Sequence, residues 1–118
     1  METIVRVAPQ APDVTILSIE GEATDAARDL GRLAPLLQSL LASEVKYVVV
    51  NLSGLVSIGC EALAEFMLAA MLLRAESGDM TFAAASPEVA AVLAKLGVDR
   101  MVQQYATVDE AVAAVHGS

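Results

Sequence analysis

A chain of 118 residues, 56% of them apolar, is long enough to build one hydrophobic core and too apolar for a disordered tail. Its 15 acidic and 7 basic residues give a formal charge of −8, which repels phosphate backbones and anionic lipid and favours a basic protein partner. One Cys and one His exclude an internal disulfide framework and a thiolate-rich zinc site, so neither metal nor cofactor is expected.

In chain order, TIVRVA (residues 3–8) predicts a first strand, with Pro9 and Pro12 bracketing a turn. DVTILSI (residues 13–19) predicts a second strand, close enough to pair with the first as a hairpin and ended by Gly21. Thr24 or Asp25 caps a helix over roughly 24–42. There Ala27, Leu30, Leu33, Leu37, Leu40 and Leu41 recur at helical spacing, and Pro35 bends or splits the run. Residues 46–52 are apolar and β-branched and predict a buried third strand, with Asn51, Ser53 and Gly54 marking its end.

A second helix starts near Cys60 and runs to about Glu76, with Gly78 as its C-cap. DMTFAA (residues 79–84) predicts a fourth strand. Ser86-Pro87-Glu88 opens a third helix that Gly97 ends, residues 101–106 form a short fifth strand, and Thr107 caps a last helix. Strand and helix alternate from residue 13 onward, which implies βα units on a mixed, mainly parallel sheet of about five strands with four helices. Residues 1–118 are expected to form one α/β domain. METIVRVAPQ does not read as a signal peptide, and the longest apolar run, around residues 66–73, is far shorter than a membrane span. A cytoplasmic location is the expectation.

Chemistry is sparse. Neither nucleotide-binding fingerprint occurs, and His116 lies in the tail with no nucleophile arranged around it. The acids Glu20, Glu22 and Asp25 read as a solvated loop rather than catalytic carboxylates. No enzymatic activity is expected. Cys60 stands where a loop becomes a helix, in the positive field of the helix end, while Glu61 beside it acts in the opposite sense. The plainer expectation for this thiol is a small buried hydrophobe. The second helix is apolar nearly all round: from Ala62 to Ala75 its only charges are Glu65 and Arg74. Such a helix is either wedged among neighbours or presents one face to a partner.

The segment VVVNLSGLVSIGCEALAEFMLAA resembles the signature of STAS domains, especially bacterial anti-sigma factor antagonists. In that family an apolar strand ends in a Leu-Ser-Gly-like turn, followed by Asp-Ser-Ser/Thr-Gly-Leu at a helix start. VTILSIEGEATDAARDL is similar to the family's second strand and its Gly-Glu-Leu-Asp turn. DMTFAAASPEVAAVLAKLGVDRMVQQYATVDEAVAAV is similar to its closing strand, Ser-Pro helix start, Leu-x-x-x-Gly ending and final helix. The likeness covers about residues 4–115.

The resemblance implies a non-enzymatic partner-switching module, which binds a kinase-type anti-sigma factor until phosphorylation of the first Ser of that motif ends the binding. Laid over the motif without gaps, Gly59 falls on the Asp, Cys60 on the phosphorylated Ser, Glu61 on the next Ser or Thr, and Ala62 on the Gly. Thr24 falls on the Asp of the earlier turn, with Asp25 one place later. The expected contact surface is therefore Ser57, Ile58, Gly59, Cys60 and Glu61, with Thr24, Asp25 and the exposed side of the second helix nearby. Its partner would be an anti-sigma factor or related kinase-like ATPase; a homodimer is left open. Cys60 occupies the phosphosite position, and a thiol is not a normal substrate for a Ser/Thr kinase. Two further readings stand beside this one. Cys60 could make the module thiol-responsive, with Ser57 or Ser53 as a shifted phosphosite; or the domain could be a scaffold subunit of a larger signalling or transporter complex.

Overall fold

Short apolar runs separated by turn residues fold here into neighbouring strands. β1 (Ile4–Ala11) and β2 (Val14–Ala23) pair antiparallel, with Val5 opposite Ile19 and Val7 opposite Leu17. The structure, a computed structural model, describes residues 4–11, 13–23, 35, 38–43 and 45–116. β3 (Tyr47–Ile58) runs parallel to β2, β4 (Asp79–Ala83) parallel to β3, and β5 (Gln103–Tyr105) parallel to β4. The result is a mixed, mainly parallel sheet in the order β1-β2-β3-β4-β5. Four helices accompany it among the described residues: α1, described at residues 38–41, α2 (Cys60–Ala75), α3 (Pro87–Lys95) and α4 (Val108–His116). A 3₁₀ turn (Val98–Arg100) precedes β5. Most of the helix expected over residues 24–42 lies outside the described residues.

The sequential strand order fixes where the helices go. A parallel crossover is right-handed, so crossovers that step the same way across a sheet leave their helices on one face. α2 and α3 share a core with that face: Phe66, Leu73, Val89 and Leu93 pack with Leu17, Ile19, Val48, Val50, Met80 and Phe82. The Phe66 and Phe82 rings meet edge to face, 5.7 Å between centroids, and tie α2 to β4. α4 follows the last strand, so no later strand constrains its side. It covers the opposite face, where Ala111 packs on Val49 and Ala83.

Several boundaries differ from those the sequence suggests. Pro9 lies inside β1, opposite Thr15, and not in a turn. β1 is an edge strand, where Pro's missing N–H is tolerated, and its register shifts between Pro9 and Ala11. Gly21 does not end β2; with φ 94° it sits where the β2–β3 register shifts, and the strand continues to Ala23.

Nor does β3 stop at Asn51, Ser53 and Gly54. It runs on to Ile58 with one extra residue between its pairings at Asn51 and Gly54 and another between Leu55 and Ser57. Those bulges bring Leu52, Leu55 and Ile58, spaced by three, all into the core, which a regular strand of period two cannot do. The Asn51 carboxamide supports the first bulge, accepting from the Ser53 N–H (3.1 Å) and donating to the Ser18 hydroxyl (3.3 Å).

α2 ends differently as well. Ser77, not Gly78, takes the left-handed position (φ 65°). The Ser77 N–H donates to the Arg74 carbonyl and the Gly78 N–H to the Leu73 carbonyl, at 3.1 and 2.7 Å, forming a Schellman motif. Gly78 is required for another reason: a Cβ there would lie 2.0 Å from the Lys46 carbonyl oxygen. The caps of α3 and α4 follow expectation. Ser86 accepts from the Val89 N–H and Thr107 from the Glu110 N–H, while Gly97 (φ 76°) follows the end of α3. Met101 and Val102 fall between the 3₁₀ turn and β5, which is shorter than residues 101–106 suggest.

Candidate functional site

In parallel α/β sheets the ends where strands give way to helices are the usual place for recognition, because loops and helix N-termini converge there. β2 and β3 both finish at that end. β3 pairs with β4 only as far as Asn51, opposite Ala83, so its last seven residues, 52–58, extend beyond β4 alongside β2 alone. Ile58 ends the strand, buried and opposite Ala23. Gly59 follows in extended conformation (φ −102°, ψ 169°) as the N-cap of α2, and Cys60 is the first helical residue. Strand thus becomes helix across a single residue.

A glycine cap contributes no side chain to the first turn of α2; among the described residues the Leu63 N–H donates to the Gly59 carbonyl at 3.1 Å. Such a terminus favours negative charge and hydrogen-bond acceptors. Cys60 is exposed there, not the buried small hydrophobe expected of a lone thiol. Ser57 is half-buried opposite Glu22, Gly59 is half-buried, and Glu61 stands at the second helical position. Ser53 is exposed on the first bulge.

The sequence-selected residues Ser57, Ile58, Gly59, Cys60 and Glu61 therefore form one continuous strand-to-helix corner. Thr24 and Asp25 lie outside the described residues; the end of β2 that precedes them stands beside Ile58. Sequence reasoning passed over Val56, which is 48% exposed beside this corner. Val56 is the extra residue of the second bulge, between Leu55 and Ser57, and faces out while Leu55 enters the core. Among the described residues no group of three or more His, Cys, Asp or Glu is placed to hold a metal ion. Nor is any described helix long and apolar enough to cross a membrane.

α2 leads away from the corner with two apolar sides. Ala62, Leu63, Phe66, Ala69, Ala70 and Leu73 are buried in the main core. Leu68, Met71 and Leu72 are 53%, 58% and 46% exposed on the outer side.

Comparison with known proteins places this geometry. The family model described as STAS domain matches residues 6–111. An anti-sigma factor antagonist from Mycobacterium paratuberculosis is similar in structure with a TM-score of 0.86 at 22% identity, covering 98% of this chain and 95% of that one. The unphosphorylated form of the anti-sigma factor antagonist SpoIIAA gives 0.81 at 19% identity, covering 98% of each chain. The phosphorylated form of the Bacillus cell fate determinant SpoIIAA gives 0.74 at 15% identity, covering 95% of this chain and 99% of that one. No curated protein matches the chain.

Proposed function

Because the chain belongs to the STAS domain family, its residues 6–111 matching that family's model, we propose that it is a non-enzymatic regulatory module that binds a protein partner. The partner class is the one that anti-sigma factor antagonists engage, an anti-sigma factor or related kinase-like ATPase. The contact surface is Ser57, Gly59, Cys60 and Glu61 around the buried Ile58, together with Thr24 and Asp25, which follow β2 in the chain.

The observation that carries this reading is the exposed Cys60 at the first position of a helix whose N-cap is a glycine. At the corresponding position of the family motif a serine takes up phosphate, a group that adds close to two negative charges to a contact surface. A thiol there leaves a Ser/Thr kinase no hydroxyl to act on. Glu61 next to it supplies a fixed negative charge at the second helical position. In this reading the electrostatics of the corner are permanent, and binding is governed by the supply of partner rather than by phosphorylation.

A purified kinase-type anti-sigma factor, ATP and intact-mass measurement test it. The native chain is expected to stay unmodified and Cys60→Ser to gain one phosphate. Glu61→Lys is expected to change affinity by about tenfold or more in titration calorimetry, with an unaltered thermal melt. A phosphate on Ser57 or Ser53 of the native chain would restore the switch and remove the proposal. So would a complex that leaves the corner untouched.

A further inference from the structure

Past Asn51, β3 leaves β4 and runs beside β2 alone, with Glu20 opposite Gly54 and Gly21 opposite Leu55. Cross-strand partners share a face, and successive residues alternate. Leu55 is buried in the main core, so Glu20 and Gly54 lie on the face turned away from α2 and α3.

The Glu20 side chain does not stand clear of the sheet there. It lies across Gly54: a Cβ on Gly54 would come 2.6 Å from Glu20 Cγ and 3.2 Å from Glu20 Cβ. Gly54 does not take a left-handed conformation, so what a glycine provides at this position is room for Glu20. The carboxylate that this contact sets in place is short of partners. Among the described residues its ionic contact is Arg6, whose Nη1 stands 3.9 Å from Glu20 Oε1, too far for a hydrogen bond and with both side chains well exposed. An anion held in place, partly exposed and without a close cation, is suited to an incoming guanidinium or ammonium.

Val56 stands two residues beyond Gly54, 48% exposed. The bulge that pushes it out serves to bring Leu55 and Ile58 into the same core, and nothing in that requires the extra residue to be aliphatic; threonine suits a strand as well. Ser57 and the exposed Cys60 follow, so acid, aliphatic and corner succeed one another along the same end of β3.

We propose that this stretch extends the contact surface of the corner, with Glu20 taking a cationic side chain of the protein partner and Val56 an apolar one. The inference rests on the reading of the Ser57–Glu61 corner and names the partner's chemistry beside it: Lys or Arg next to an aliphatic residue, on a surface drawn in by this chain's charge of −8.

The test is titration calorimetry of a purified kinase-type anti-sigma factor with the full chain at low and high salt. Glu20→Gln is expected to weaken binding by about tenfold at low salt and to flatten its salt dependence, with an unaltered thermal melt. Gly54→Ala, which pushes the flexible Glu20 side chain aside, is expected to do the same, and the double variant to bind no worse than either single one. Val56→Thr is expected to weaken binding by a similar factor with the salt dependence unchanged. Arg6→Gln is expected to leave affinity as it is or to tighten it. A loss in Arg6→Gln equal to that in Glu20→Gln would mean that Glu20 only holds Arg6 in place, and overturns the proposal. So does native affinity in either Glu20→Gln or Val56→Thr. Where Glu61→Lys alone weakens binding, the corner stands and this extension of it falls; where the native chain does not bind at all, both fall.

Discussion

Thr81 is 7% exposed, and its hydroxyl has no hydrogen-bond partner among the described residues. It sits mid-strand in β4, opposite Val49 and Gln103. An unpaired buried hydroxyl costs about 1–3 kcal/mol relative to water, and valine fills the same shape without it. Thr81→Val is therefore expected to raise stability by about 1 kcal/mol, read as a higher urea midpoint at unchanged slope. Cys60 is the opposite case: a residue type often buried, held in solvent by its place one step beyond a strand. Its identity and its position at a helix start were legible in the sequence, because Gly59 and the apolar run after it are local signals. Its exposure was not, because that depends on which way the corner faces.

The helix ends show the same division between local and distant causes. Ser86, Pro87, Gly97 and Thr107 act on backbone within three residues and were readable from the chain alone. The end of α2 was misread because Gly78 is reserved for the close approach of the Lys46 carbonyl, a neighbour from a different segment. That left the left-handed position to Ser77, which carries a Cβ into a conformation glycine adopts freely. Ser77→Gly is expected to stabilise the chain by about 0.5–1 kcal/mol in thermal or urea unfolding. β3 teaches a similar lesson. Asn51, Ser53 and Gly54 have turn composition, yet they form a bulge because Leu55 and Ile58 beyond them must reach the same core as Leu52. Only the pairing with β2 reveals it.

Across the whole molecule, the α/β class and the mainly parallel sheet followed from the alternation of strand and helix periods, which each element carries in its own sequence. The allocation of α4 to the face opposite α2 and α3 did not, since its small contact set (Ala111 on Val49 and Ala83) has no local mark. The main core depends on the chain's two phenylalanines, both fully buried and in edge contact. Phe66→Ala is expected to cost about 3–5 kcal/mol, measured by urea unfolding, because it opens a cavity between α2 and β4. Leu68→Ala, two residues away on the exposed side, is expected to change stability by less than about 0.5 kcal/mol.

The part of β3 that outruns β4 gives the molecule a projecting beam. Residues 52–58 are anchored inward by Leu52, Leu55 and Ile58 and laced along one side to β2, while the tip carries Gly59 and Cys60 clear of the sheet's other strands. Substitutions at Gly59 or Cys60 therefore act beyond the hydrogen-bonded centre of the sheet, which they leave as it is.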